Sequence, residues 1–297
     1  MCTTMCRLFG LCSAPERIRA TFWLVGAPDS LEAQSRANPD GTGIGVFDRD
    51  GRPLTFRQPL AAWQDTEFAQ EARELESTTF VAHVRFASTG GLTVENTHPF
   101  EQDGRLFAHN GVVGGLDLLD ARLTELGVDV ARTVHGQTDS ERFFALLTEE
   151  VHRHGGDVGA GITAAVGWAA EQLPLYCLNL LLADADGLWA LRYPDTHELY
   201  VLDRRAPGDG PGEPLQHADR RRRLRASSAE LADRSCVVVA SERMDEDPRW
   251  RLLASGELVH VSPGPVLAST LALPQPPVHL LRLADLHPQA AASQSAH

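Results

Sequence analysis

Short apolar runs separated by turn residues dominate the first two thirds of the chain. Cys6 to Cys12 (CRLFGLC) and Gly43 to Phe47 (GIGVF) have the length and composition of strands, and Asp-Arg-Asp-Gly follows the second as a turn. Phe80 to Phe86 (FVAHVRF) and Leu106 to His109 (LFAH) read the same way. Within FVAHVRF the two-residue period puts Val81, His83 and Arg85 on one face and Phe80, Ala82, Val84 and Phe86 on the other. The Ala- and Glu-rich stretch Glu67 to Glu76 predicts an exposed helix. A second helix is expected after Thr138, because Thr-Asp-Ser-Glu is a capping box, with Glu141 three residues beyond the cap. Phe143, Phe144, Leu147 and Val151 then recur at helical spacing. Asp157 to Gln172, rich in Gly and Ala, predicts a tightly packed helix beside it.

Tyr176 to Ala183, Leu188 to Tyr193 and Leu199 to Leu202 read as consecutive strands, with turns at Asp184–Gly187 and Pro194–Asp195. Arg204 to Pro214 is dense in Gly and Pro and reads as a loop, before late strands at Cys236 to Ala240 and Glu257 to Val261. From Leu273 onward Pro and Ala dominate, which predicts a disordered tail over 273–297. Strands on both sides of paired helices, with no internal repeat, predict a layered α/β architecture in one domain.

Composition removes several classes of function. The longest apolar stretch, Tyr176 to Ala183, is too short to span a bilayer, and no secretory signal opens the chain, so the expected location is cytoplasmic. A net charge of -13 disfavours nucleic acid and anionic lipid as partners, and the basic run Arg220 to Arg223 with Arg225 reads as a solvated face. All 27 basic residues are arginine. Without lysine there is no Walker A loop, no Schiff base and no lysine-bound pyridoxal cofactor. Five cysteines with no CxxC spacing suggest neither a disulfide framework nor a zinc site.

Four features carry candidate chemistry. Arg85 lies near the end of a strand expected to be buried, so it must meet an internal carboxylate or open into a cleft, where arginine suits bidentate carboxylate recognition. Asn110-Gly111 between apolar runs is either a tight hairpin turn or an oxyanion hole made by an amide and a backbone N–H. Asp139 either complements a helix N-terminus or holds a bound ammonium group. His98, in the polar cluster Asn96-Thr97-His98-Pro99, reads as structural. The chain also opens with two Met-Cys pairs, Met1-Cys2 and Met5-Cys6. A thiol is a strong nucleophile that needs a base, and an N-terminal cysteine supplies one in its α-amine, with a pKa of roughly 7.7–8.0. Nucleophile, oxyanion hole, carboxylate clamp and ammonium anchor together describe a site for glutamine or a γ-glutamyl amide attacked at its side chain.

The ordered set MCRLFG, NPDGTGIGVF, HVRFASTGG, ENTHPF, AHNGVV and GQTDSE resembles the class II glutamine amidotransferase domain of the N-terminal-nucleophile hydrolases. Within that group it is similar to the stand-alone members, among them the γ-glutamyl hydrolase type of ergothioneine biosynthesis. The late stretch VVVASERMDEDPRWRLLASGELVHV resembles the end of the same domain, so the likeness covers roughly Met5 to Val261. The resemblance implies a four-layer αββα sandwich, with Cys6 as nucleophile and Asn110 and Gly111 as oxyanion hole. It implies that Arg85, with Ser88 and Thr89, binds the substrate α-carboxylate, and that Asp139 binds the α-amino group. Asp40 and Gly41 would pack beside the nucleophile, and Arg36 matches a pocket arginine upstream. His83, His98 and His109 lie inside family motifs with no role assigned. No metal or organic cofactor is implied.

The expected activity is thus a cysteine-dependent amidohydrolase that passes through a γ-glutamyl thioester. The alternatives are a glutaminase that supplies ammonia to a separate synthase, and a non-catalytic glutamine sensor. Synthases of this group carry a second domain, where this chain has only its Pro-rich tail. The family places its cysteine directly after the initiator Met, so residues 1–5 are expected to be absent from the mature protein, leaving the domain at 6–272.

Overall fold

The structure is a computed structural model that describes residues 6–204, 215–218, 225–228 and 234–294. The segment 1–5 with Cys2, most of the Gly/Pro-rich loop, and the basic run Arg220 to Arg223 lie outside the described residues.

Strand β1 (Arg7–Cys12) leads into a π-helical turn at Phe22–Gly26, α1 (Leu31–Gln34), β2 (Gly41–Phe47), β3 (Pro53–Gln58), α2 (Thr66–Glu74) and β4 (Thr79–Arg85). Then come β5 (Phe100–Gln102), β6 (Arg105–Val113), α3 (Leu116–Glu125), α4 (Val130–Thr133), α5 (Asp139–Arg153) and α6 (Val158–Gln172). The remainder adds β7 (Pro174–Ala183), β8 (Leu188–Arg192), β9 (Tyr200–Arg204) and the hairpin pair β10 (Leu215–Ala218) and β11 (Arg225–Ser228). It ends with β12 (Cys236–Ala240), β13 (Arg251–Leu252), β14 (Glu257–Ser262), β15 (Val266–Leu271), β16 (His279–Leu280) and α7 (Pro288–Ser293).

Two sheets stack face to face. The first runs β13-β9-β12-β1-β4-β2-β3, and the second runs β15-β14-β8-β7-β6-β5 with β16 added parallel to β7. Alternation sorts the side chains as the sequence period requires. Phe9, Leu11, Phe80, Ala82 and Val84 leave the first sheet on its outer face and pack on Trp23, Phe68 and Ala72. Leu8 and Val81 leave on the inner face and meet Leu106, Ala108, Leu181 and Leu188 of the second sheet. The outer face of the second sheet, with Phe107, Leu178 and Leu180, is covered by Phe143, Phe144, Leu147, Ile162 and Val166 of α5 and α6. The four layers are helix, sheet, sheet, helix, as the resemblance implied. Close contact of α5 with α6 depends on Gly161, where a Cβ would lie 2.5 Å from Val151 Cγ2.

Three expectations need correction. Helix α2 is not a wholly exposed helix, because it buries Phe68 and Ala72 against the first sheet. Asn110-Gly111 is not a hairpin turn: both residues lie inside β6, paired with Asn179 and Leu178 of β7. The tail is not disordered over 273–294. Its backbone is tied down by β16, by Val278 N–H donating to Ala170 O (2.8 Å) and by Leu281 N–H donating to Leu175 O (2.7 Å). Composition missed this because proline and alanine carry no strand signal, while the hydrogen-bond partners lie a hundred residues away in the sheet.

Candidate active site

Cys6 immediately precedes β1, and because β1 and β4 run antiparallel with Arg7 opposite Val84, Cys6 comes to lie beside Phe86. The thiol sits in a backbone clasp: Phe86 N–H donates to Cys6 Sγ (3.2 Å), and Sγ–H donates to Phe86 O (3.3 Å). Cys6 is 8% exposed. Burial pushes its thiol up, against the Phe86 N–H and the charges of Arg85 and Arg7, which pull it down. A thiol in this state needs a base when it attacks.

Arg85 points inward from the end of β4. Its guanidinium donates to Thr89 O (2.6 Å) and Gly91 O (3.1 Å), which curls the loop carrying Ser88 and Thr89 around it. Burial pulls Arg85 down, opposed by the charges of Cys6, Asp40 and Asp139. Among the described residues no carboxylate lies within ion-pair distance of it, so the structural ion pair left open by the sequence is not made. Asp40 fixes the same segment from below, accepting from Ala87 N–H (2.8 Å) while its own N–H donates to Arg85 O (3.0 Å).

Asn110 reaches across from the second sheet. Its Nδ2 donates to the backbone carbonyl of Cys6 (2.8 Å), while its Oδ1 is buried and accepts no hydrogen bond among the described residues. Gly111 has φ of 154°, and a Cβ there would stand 1.9 Å from Cys177 O. The glycine is therefore required by the approach of β6 to β7, beside the register shift at Val112 and Val113.

Asp139 is the first helical residue of α5, after the cap Thr138. Its Oδ2 accepts from Val113 N–H (2.8 Å) and its Oδ1 from Ser140 N–H (2.9 Å), so it joins the end of β6 to the start of the helix. Thr138 caps as expected by accepting from Glu141 N–H (3.2 Å). The Glu141 carboxylate turns to His135 and Gly136 N–H instead of completing the capping box. His109 stands behind Asp139, with Nδ1 2.9 Å from Ser140 Oγ and Nε2 3.3 Å from Cys177 O.

Cys6, Arg85, Asn110, Gly111 and Asp139 are thus gathered at one end of the sandwich, with Ser88 and Thr89 in the loop beside them. Arg36 is not brought in: it is exposed, and its guanidinium lies over the Trp63 ring at 5.1 Å. Sequence reasoning missed three supports. Arg7, buried next to Cys6, pairs with Glu242, while Ser241 Oγ accepts from Leu8 N–H (3.0 Å). Asn96 donates to Gly91 O (3.1 Å) and accepts from Gln137 N–H (2.7 Å), tying the Arg85 loop to the segment before Asp139. The third is α7, whose Gln289 Nε2 donates to Ala87 O (3.3 Å). A buried Arg inside a strand needs an anion or a set of carbonyls, and for Arg7 the acid in SER at Ser241–Arg243 was the signal that could have been followed.

Residues 5–279 match the family model for class II glutamine amidotransferases. The chain is 30% identical over 268 residues to γ-glutamyl-hercynylcysteine sulfoxide hydrolase of Mycobacterium tuberculosis, covering 87% of this chain and 93% of that protein. It is 29% identical over 278 residues to the enzyme of the same name from Mycolicibacterium smegmatis, covering 90% of this chain and all of that one. In fold it is similar to a glutamine aminotransferase class-II domain protein from Silicibacter pomeroyi (TM-score 0.57, 20% identity, 89% of this chain and 98% of that chain). It is also similar to the glutamine phosphoribosylpyrophosphate amidotransferase of B. subtilis (TM-score 0.61, 17% identity, 91% of this chain and 50% of that chain). The chain belongs to the class II glutamine amidotransferases.

Proposed function

We propose that this protein hydrolyses the side-chain amide of a γ-glutamyl small molecule, with Cys6 as nucleophile. The observation that carries the reading is Arg85, a buried cation beside the thiol that meets loop carbonyls and, among the described residues, no carboxylate. A substrate α-carboxylate is the anion such a site calls for. In this reading Ser88 and Thr89 line the carboxylate end, and Asp139 takes the α-ammonium group. Placed in this way, the substrate brings its γ-carbonyl to Cys6 Sγ.

Attack forms the S–C bond as the thiol proton passes to the base, and the carbonyl oxygen becomes an oxyanion held by Asn110 Nδ2 and Gly111 N–H. The C–N bond then breaks, with the proton going to the leaving nitrogen. Water hydrolyses the γ-glutamyl thioester, releasing glutamate and returning the thiol. The base is the α-amine of Cys6, freed when residues 1–5 are absent. One observation is in keeping with it: Asn110, whose Nδ2 bonds Cys6 O, keeps a buried Oδ1 with no donor among the described residues, and a free α-amine is such a donor.

Two relatives are named for removal of a γ-glutamyl group, which favours a γ-glutamyl amide over free glutamine. A second reading, delivery of ammonia to a separate synthase, draws on the 29% identity over 158 residues to glutamine–fructose-6-phosphate aminotransferase of Idiomarina loihiensis, of which the match covers 24%. No helix among the described residues is long and apolar enough to cross a membrane, and we place the reaction in the cytoplasm. Intact mass of the purified protein, followed by glutamate release from glutamine and from γ-glutamyl amides, tests the assignment. Cys6→Ala should abolish release; release that survives it refutes the nucleophile. Turnover that rises only when a synthase is added would favour the second reading.

A further inference from the structure

We infer that α7 is the outer wall of the Cys6 site, covering the side from which the amine leaves, and that Gln289 helps to select that amine. Two adjacent residues of this short helix touch opposite lips of the site. Gln289 Nε2 donates to Ala87 O, directly after the Phe86 backbone that clasps the Cys6 sulfur. Ala290, 5% exposed, packs against Val112, Tyr176 and Cys177, and Val112 directly follows Gly111. One turn of helix therefore spans from the sulfur-binding segment of the first sheet to the oxyanion strand of the second.

The attachment is asymmetric. On the second sheet the segment is held ahead of α7 by β16 on β7 and by Leu281 N–H on Leu175 O. Behind α7 it is held by Gln294 Oε1, 2.6 Å from His197 Nε2. Towards the first sheet, α7 is tied by the bond from Gln289 to Ala87 O. This is a wall fixed along one edge and latched along the other. The inference rests on the proposed reading in one respect: with the glutamyl end at Arg85 and Asp139, what remains to pass this wall is the group on the amide nitrogen. A polar amine larger than ammonia would meet the Gln289 amide, whereas ammonia from glutamine would not need it.

Two full-length variants test the inference: Gln289→Ala, which opens the latch, and Ala290→Arg, which pushes α7 away from Val112 and Tyr176. The first readout is the rate of Cys6 alkylation by iodoacetamide, mapped by mass spectrometry. The second is the ratio of kcat/KM for a bulky γ-glutamyl amide to that for glutamine. Gln289→Ala should speed alkylation and shift the ratio by roughly two- to tenfold, the worth of one net hydrogen bond. Ala290→Arg should move both in the same direction and further, with the circular dichroism spectrum unchanged. An unchanged alkylation rate or an unchanged ratio in folded Gln289→Ala overturns the inference. If the parent protein turns over no amide, the functional reading fails, and alkylation alone then decides whether α7 covers Cys6.

Discussion

The Asn110 side chain, rooted in the second sheet, donates from Nδ2 to the backbone carbonyl of Cys6 at the start of the first, across 2.8 Å. One hydrogen of that amide holds Cys6 in place, and in the proposed reading the other serves the oxyanion. Asn110→Ala should therefore lower kcat about 10²–10³-fold, the usual cost of one oxyanion donor, with much less change in KM. Steady-state glutamate release checks this, and a change confined to KM would assign Asn110 to binding.

Asp139 is both a structural acceptor and, in the proposed reading, an ammonium anchor. Substitution separates the roles. Asp139→Ala strips the acceptor from Val113 and Ser140 N–H and should cost about 1–3 kcal/mol in urea unfolding. Asp139→Asn keeps an acceptor oxygen and loses the charge, so it should fold with a smaller loss while KM rises roughly ten- to hundredfold, the value of a hydrogen bond to a charged group. An unaltered KM in folded Asp139→Asn would leave only the structural role.

Gly111→Ala tests the close approach of β6 to β7. A Cβ 1.9 Å from Cys177 O cannot be accommodated by rotating a side chain, since the obstacle is backbone. The strands must separate at the register shift, at a cost of about 3 kcal/mol, the upper end for overpacking. Thermal unfolding should show it, and wild-type stability would mean that β6 yields there.

Much of this was legible in the sequence, and the reasons differ by element. Alternation in FVAHVRF put His83 and Arg85 on the face that the second sheet covers, because a strand's side chains have no freedom to do otherwise. Thr138-Asp139-Ser140-Glu141 opened α5 where capping chemistry requires it. Asn110-Gly111 was ambiguous because the same dipeptide suits a turn and a tight strand crossing, and only the position of Cys177 decides between them. Amphipathic α3 and edge strand β15 were missed, the first for its weak polarity contrast and the second for its exposure. Arg7–Glu242 and Gln289–Ala87 join residues about two hundred positions apart, a pairing no local pattern encodes.

The Arg7–Glu242 pair anchors the residue that follows Cys6. Arg7 is 1% exposed and Glu242 stands at the surface side of the pair, so Glu242→Gln removes one carboxylate charge from beside a buried guanidinium. The loss should lie at the low end of the range for broken buried pairs, about 3 kcal/mol, because one partner retains solvent contact. Urea unfolding measures it. A loss below about 1 kcal/mol would give the pair the weight of a surface bridge.

His83 and His98 set the acid limit of the fold. Their rings are buried with centroids 4.3 Å apart, and none of their four nitrogens has a partner among the described residues. Burial, reinforced by the charge of Arg85, pushes His83 down to about 3 and His98 well below its ordinary value of 6.5. Both folded values lie below the unfolded one, so the unfolded chain takes up protons first as pH falls. For His83, stability is then complete above pH ~6.5 and is lost on acidification towards about 3, at about 1.4 kcal/mol per pH unit, and the buried His98 ring adds loss in the same direction. Between pH 6.5 and 5 His83 alone should cost about 2 kcal/mol. Because the His83 nitrogens bond to nothing among the described residues, His83→Met keeps the volume and removes the titration. Urea midpoints of the two proteins should converge at pH 7 relative to pH 5, where the variant retains about 2 kcal/mol more of its neutral-pH stability. Parallel losses in both would place the acid sensitivity elsewhere in the fold.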